Sequence, residues 1–194
     1  MSSHVEELST LLRNNHFTNS HLPSMSKYSI KKIINSYYSY HWKSKMDECS
    51  KATLYKTHKQ NISLEKYLIK IQKRKVRSTI TKIRLSDHCL AIEKGRQTKP
   101  KTEKHHRICR LCNENKIEDE IHFTMQCKTF TAERKSFNSK LIEICPNYKN
   151  IPTDEQKYIF LQTNEDNRFL ELFGEYIFTI YNKRLQFQTD SQHS

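Results

Sequence analysis

The chain has 194 residues, of which 35% are hydrophobic, with ten Tyr and nine Phe but only two Gly and four Pro, and a mean hydropathy of −0.86. No apolar run approaches the ~18–20 residues that span a bilayer, which excludes a membrane-spanning bundle, and the scarcity of Gly and Pro argues against an all-β fold with many turns. A net charge of +13 opposes compaction and favours a polyanionic partner, nucleic acid ahead of an anionic membrane surface.

Residues 1–23 are expected to be loosely ordered. Val5, Leu8, Leu11 and Leu12 have helical spacing, but the run NNHFTNSHLP stops any helix. No basic segment followed by an apolar one opens the chain, so no secretory signal is read, and Glu6 and Glu7 argue against a mitochondrial presequence. The expected location is nuclear or cytoplasmic, where disulfides are rare and cysteines act as buried thiols or metal ligands. Over 24–50, Ile30, Ile33, Ile34, Tyr37, Tyr38, Trp42 and Met46 recur at steps of three and four, predicting a helix capped by Ser24 or Ser26. Its aromatic stripe reads first as a core face and second as a surface for stacking bases.

A polar break over 51–62 precedes helical spacing over 63–85 through Leu64, Leu68, Ile71, Ile80 and Ile83. A short helix from Asp87 to Lys94 is expected to end at Gly95 in a C′ position. The stretch RQTKPKTEKHHR, 96–107, has no periodicity and reads as a basic linker. Beyond the cysteine segment, Phe130, Phe137, Leu141 and Ile144 predict a helix over 129–145, followed by a loop over 146–152. Thr153 and Gln156 form a capping box for a helix ending near Gln162. Phe169, Leu170, Phe173, Tyr176, Ile177, Ile180 and Tyr181 predict an amphipathic helix over 166–187. The resulting fold class is all-α, a helical assembly with an inserted CCHC zinc-knuckle-like hairpin. Its parts are a loose N-terminus (1–23), a basic helical region with linker (24–107), the zinc module (108–127), C-terminal helices (128–187) and a disordered tail (188–194).

The segment ICRLCNENKIEDEIHFTMQC carries the chemistry. Cys109, Cys112, His122 and Cys127 make the pattern C-x2-C-x9-H-x4-C. Three thiolates and an imidazole are a ligand set for structural Zn2+, and four protein ligands leave no open position for catalysis. On a regular helix, residues five apart sit ~140° apart, so His122 and Cys127 cannot both face one ion from an undisturbed helix. Glu118 and Asp119 suit the first turn of a helix carrying His122 that loosens near Met125–Cys127, with Ile121, Phe123 and Met125 covering the ion. His105 and His106 are alternative ligands in another register. Cys49, Cys89 and Cys145 sit near apolar positions and read as packing residues.

Between Lys66 and Arg107 only Asp87, Glu93 and Glu103 oppose a dense run of Lys and Arg. Lys73, Arg74, Lys75, Arg77, Lys82, Arg84, Arg96, Lys99 and Lys101 are the candidate phosphate contacts, densest in KRKVR at 73–77. The alternatives are a solvated helix face or a nuclear-import patch. The acids after Cys112 (Glu114, Glu118, Asp119, Glu120) predict that this side of the finger repels phosphate.

Arg77, Thr81, Lys82, Arg84, Ser86, His88, Leu90, Ile92, Glu93, Gly95 and Arg96 fall in the pattern R-x3-T-K-x-R-x-S-x-H-x-L-x-I-E-x-G-R. Lys99-Pro100-Lys101 follows, and then the cysteine segment with E-D-E-x-H-F before its last cysteine. Together these resemble the C-terminal tail of LINE-type non-LTR retrotransposon endonuclease–reverse transcriptase polyproteins, its reverse-transcriptase zinc-binding region. The resemblance is close from about Leu54 to Phe137 and looser over 24–53 and 146–187. It implies a non-catalytic module that binds nucleic acid, RNA ahead of DNA, during target-primed reverse transcription; no membrane partner is expected. The polymerase's paired aspartates and the nuclease domains have no counterpart here, so no enzyme is expected. The chain carries only the tail, whether as a host protein, a fragment or a non-functional element remnant. The competing reading is a protein–protein adaptor that docks a reverse-transcriptase core.

Overall fold

A computed structural model describes residues 26–51, 53–59 and 61–190, with Thr10 and Arg13. The expected loose N-terminus, apart from Thr10 and Arg13, lies outside the described residues, as do the last four residues of the expected tail. The chain divides into two units, Met1–Ser50 with Gln60–Ile62, and Lys51–Lys59 with Ser63–Ser194. The described residues are mostly helical, with backbone pairing between strands limited to one isolated bridge. None of the described helices is long and apolar enough to cross a membrane.

In the first unit, α1 spans Lys27–Glu48, and the Ser26 side chain accepts the Ser29 N–H at its start. The helix and its cap follow the sequence expectation, but α1 contains no buried residue. The stripe read as a core face is half-buried at Ile30, Ile33, Ile34, Tyr37, Trp42 and Met46 and exposed at Tyr38. Periodicity reports that a helix has an apolar side; it does not report what lies against that side.

The second unit holds the core. Its helices are α2 (Thr53–His58), α3 (Lys66–Lys70), α4 (Arg74–Arg84), α5 (Ala91–Gln97), α6 (Thr131–Ile144), α7 (Asp154–Thr163) and α8 (Asn167–Asp190). The long α8 packs against α3, α4 and α6. Phe169, Phe173, Ile177 and Ile180 on α8 are almost completely buried. The Phe137 ring of α6 stacks on Tyr176 of α8 at 4.4 Å between centroids. Thr153 and Asp166 cap α7 and α8 by accepting the N–H groups of Gln156 and Phe169. Each cap satisfies a donor that the helix start leaves without a partner.

The helix expected over 63–85 is two helices, α3 and α4, and the apolar pattern explains the break. The buried positions are Tyr67, Ile71, Val76, Ile80 and Ile83. The step from Ile71 to Val76 is five residues, so an unbroken helix would set these two side chains ~140° apart. Interrupting the helix at 71–73 restores the phase, and the Arg77 guanidinium donates to the freed carbonyls of Ile71 and Gln72 at 2.6 and 3.0 Å. Both sides of the break converge on Gly174 of α8. A Cβ there would lie 2.7 Å from Val76 Cγ1 and 3.0 Å from Ile71 Cδ1. Gly174→Val is therefore expected to destabilise the fold by about 1–3 kcal/mol through overpacking. An unchanged urea midpoint would show that the α4–α8 contact is looser than these distances require.

Two further expectations change. Gly95 lies inside α5 and not at its C′ end, and its φ is not positive. It is needed for close approach, because a Cβ there would meet Arg107 Cγ at 2.6 Å. A left-handed residue stands instead at Ser86, φ 52°, which closes α4 with the Asp87 N–H on the Lys82 carbonyl at 2.8 Å. The segment read as a basic linker is a pinned loop. Arg107 donates from Nε and Nη2 to the Thr102 carbonyl and from Nη1 to that of Ile92.

Candidate metal centre

Ile108 and Ile117 form the isolated antiparallel bridge, flanked by Cys109 N–H donating to Lys116 O (2.8 Å) and Glu118 N–H donating to Arg107 O (2.9 Å). Between them the chain reverses through the C-x2-C turn, with Asn115 left-handed at φ 52°. Asp119 then begins the segment that carries His122, its carboxylate accepting the His122 N–H at 2.8 Å. His122–Gln126 is a π-helical turn, closed by Cys127 N–H donating to His122 O at 2.7 Å. Bonding between residues five apart advances the chain less per residue than an α-helix does. It therefore brings His122 and Cys127 toward one side. The spacing placed the loosening near Met125–Cys127 with Glu118 and Asp119 in the first turn; the helix instead begins at Glu120 and widens from His122.

The consequence is a buried cluster. Cys109, Cys112, His122 and Cys127 each expose 8% or less of their surface. Their ligand atoms all lie within 4.8 Å of one another. Cys109 Sγ is 3.9 Å from Cys127 Sγ, and Cys112 Sγ is 3.4 Å from His122 Nε2. His122 Nδ1 has no hydrogen-bond partner among the described residues. This group could hold one metal ion. Without metal, the hydrogen bond to Cys127 and burial push the Cys109 thiol up to about 12. The same contact holds Cys127 below the usual thiol range. A metal must displace such protons, so its affinity falls as pH falls. His105 and His106 are exposed and lie outside the cluster. Among the remaining cysteines, Cys89 and Cys145 are half-buried, whereas Cys49 is exposed.

Residues outside the motif hold the cluster in place. Phe123 is buried, with Ile121 and Met125 half-buried beside it in sequence. Thr129 Oγ1 donates to Leu111 O at 2.7 Å, tying the C-x2-C turn to the chain beyond Cys127. Arg134 of α6 donates to Cys127 O, and Tyr176 of α8 to Thr124 O. Glu118 has the widest reach. Its carboxylate takes Arg184 Nε (2.6 Å) and Nη2 (3.1 Å) and the Ala91 N–H (2.8 Å), while its carbonyl takes the Ile92 N–H. Sequence reasoning missed this pair, although one signal was available. Arg184 continues the Ile177, Ile180, Tyr181 stripe of α8, and a charge on an apolar face calls for a buried partner.

The acids of this segment do not form the expected phosphate-repelling face. Glu118 pairs with Arg184. Glu120 is buried, with Oε1 accepting from Ser86 Oγ at 2.8 Å and lying 3.0 Å from His88 Nε2. Burial alone would raise the Glu120 pKa, but the His88 and Ser86 contacts and a backbone N–H hold it below the usual carboxylate range. Asp119 caps the His122 turn, and Glu114 lies 3.0 Å from Lys128 Nζ.

The candidate phosphate contacts separate into groups. Arg74, Lys75, Lys82, Lys99 and Lys101 are exposed. Arg74, Arg77 and Lys82 line a shallow cleft of about 410 Å³ with Ser78, Thr81 and Asp87. Lys73 is exposed and ion-paired with Glu175. Arg77 is half-buried at the helix break, and Arg96 is half-buried with Nε 3.2 Å from Glu93. Arg84 corrects the sequence reading. It is buried, with 6% of its surface exposed. It donates to Glu65 and to the side chain and carbonyl of Gln162, and its guanidinium lies over the Tyr67 ring. It joins α4 to α7 and is not available to phosphate. Comparison with family models, with curated proteins and with solved structures gives no match to the chain.

Proposed function

We propose that the chain is a zinc-stabilised, non-catalytic nucleic-acid-binding module that contacts a single strand, RNA ahead of DNA, through the exposed cations of α4 and the 98–103 loop. The observation that carries the zinc reading is the shape of the cysteine–histidine cluster. Tetrahedral Zn2+ with bonds of ~2.3 Å to sulfur and ~2.0–2.1 Å to nitrogen requires S···S separations of about 3.8 Å and S···N of about 3.6 Å. Two of the six separations, 3.9 and 3.4 Å, lie close to these values, and all six are within 4.8 Å. Cys109, Cys112 and Cys127 would bind as thiolates and His122 through Nε2. Zinc held this way supplies cross-linking and no open coordination position.

The nucleic-acid reading rests on the +13 charge and on the burial of Glu118 and Glu120 inside the fold, Glu118 against Arg184 and Glu120 against Ser86 and His88. It agrees with the resemblance of residues 54–137 to the zinc-binding tail of LINE-type reverse transcriptases, which also makes retroelement origin part of the proposal. A second reading, an adaptor for a reverse-transcriptase core, draws support from α1, whose apolar stripe has no buried residue.

Two measurements on the full chain test these readings. Metal analysis is expected to find one zinc per chain, and a value near zero sinks the zinc reading. A labelled single-stranded RNA is expected to bind with an affinity that falls steeply with salt. Lys75→Ala with Lys82→Ala should flatten the log–log slope by about 0.7 per phosphate contact removed. Binding that ignores salt and appears only with a reverse-transcriptase core would favour the adaptor.

A further inference from the structure

A cleft of about 440 Å³ lies between α5, the pinned loop, the C-x2-C turn and the end of α8. Its size falls within the ~300–1,000 Å³ usual for small-ligand sites. Four cations line it, Lys94, Arg107, Arg110 and Arg184, against one acid, Glu118. Arg184 and the Ala91 N–H already occupy that acid, so it does not offset the Arg107 and Arg110 guanidinium charges in the lining.

Arg107 is the best-prepared of these groups. Gly95 has no side chain, and the Arg107 chain lies directly over it, its Cγ 2.6 Å from where a Cβ would stand. Three of its N–H groups go to the carbonyls of Thr102 and Ile92. A guanidinium has five N–H donors, and carbonyls do not neutralise its charge. It is thus held in place before any ligand arrives, which lowers the entropy cost of binding an anion. Arg110 stands exposed beside it in the lining, and the half-exposed Phe187 ring of α8 and the Leu111 side chain supply apolar surface. Fixed cations and an aromatic ring in one cleft match a ligand with a phosphate at one end and a flat base at the other.

We propose that this cleft binds one nucleotide unit, its phosphate on Arg107 and Arg110 and its base against Phe187. The site deepens the nucleic-acid reading above and rests on it for its source, a single strand of RNA or DNA. It also places a contact next to the metal centre, where the acids in the sequence argued against one.

The test is a titration of the full-length protein with uridine 5′-monophosphate, followed through amide NMR shifts. Saturable shifts are expected at Gly95, Thr98, Thr102 and Leu111, with inorganic phosphate at least about tenfold weaker. Arg110→Ala and Phe187→Ala should each weaken the nucleotide by roughly five- to tenfold, the scale of one stacked base or charge contact. Absence of shifts at these amides, equal binding of phosphate alone, or indifference to both substitutions overturns the proposal. Parallel titrations with a short single-stranded RNA and the same DNA sequence separate the sources. Strand binding that leaves these amides unmoved removes the cleft and keeps the nucleic-acid reading. Binding of the mononucleotide with no binding of either strand keeps the cleft and removes that reading.

Discussion

Cys112→Ser is expected to abolish stoichiometric zinc binding and to cost the second unit most of its stability. Structural zinc contributes ~10–16 kcal/mol of apparent binding free energy in small finger peptides at neutral pH, as much as the whole ~5–15 kcal/mol stability of an ordinary domain. The spread of the damage is the informative part. Read as sequence, 108–127 is a zinc module inserted between separate helical regions. In the structure, Phe123, Cys127 and Phe130 belong to the same core cluster as Phe169, Phe173 and Ile177 of α8. The Phe123 ring meets those of Phe130 and Tyr181 at 5.4 and 6.4 Å. Tyr176 and Arg184 of α8 bond directly to Thr124 and Glu118. Chelation should therefore lower the urea midpoint of α6 and α8 together with that of the metal segment. It should do so more readily at low pH, because each thiolate released from the metal takes up a proton. Helical circular dichroism and the intrinsic tyrosine signal should move in one transition. A midpoint identical with and without chelator would remove the metal from the stability of this fold.

Glu118→Gln is expected to cost about 3–5 kcal/mol by removing the carboxylate charge that faces the buried Arg184 guanidinium. The side chains of the pair are only 2% and 8% exposed. Solvent therefore cannot compensate as it would for the exposed Lys73–Glu175 pair, which should be worth ~0–1 kcal/mol. The Glu118 carboxylate also accepts the Ala91 N–H, while its backbone C=O and N–H, which the substitution keeps, pair with Ile92 N–H and Arg107 O. The change should therefore be felt at the start of α5 as well as at Arg184. The double substitution Glu118→Leu with Arg184→Met is expected to recover much of the loss, since an apolar pair of similar volume often replaces a buried ion pair without penalty. A double-mutant cycle in urea measures the coupling. A loss below about 1 kcal/mol for the single change would mean that water reaches the pair.

Much of this protein is set by local pattern. The Ser26 and Thr153 caps, the courses of α1, α6, α7 and α8, and the four residues of the cysteine–histidine cluster all depend on spacing along a few turns of chain, which sequence reports directly. The π-helical turn at His122 is a partial case. The five-residue step demanded a departure from regular helix, and only the folded chain selected widening.

Other features were decided by what the chain meets at a distance. Arg84 and Arg107 are as basic in sequence as Lys75 or Lys101, but Gln162 and Glu65 enclose one while Gly95, Thr102 and Ile92 hold the other. Glu118 and Glu120 read as a repulsive patch in sequence, but in the fold both are buried, Glu118 paired with Arg184, 66 residues away, and Glu120 in contact with Ser86 and His88. Charge along a sequence adds up without regard to position, whereas a charge in a fold acts through its burial and its nearest partner. For that reason the four residues of the cluster that could hold a metal were legible from residue type and spacing alone. Which cations remain free to meet a phosphate was decided by the tertiary structure.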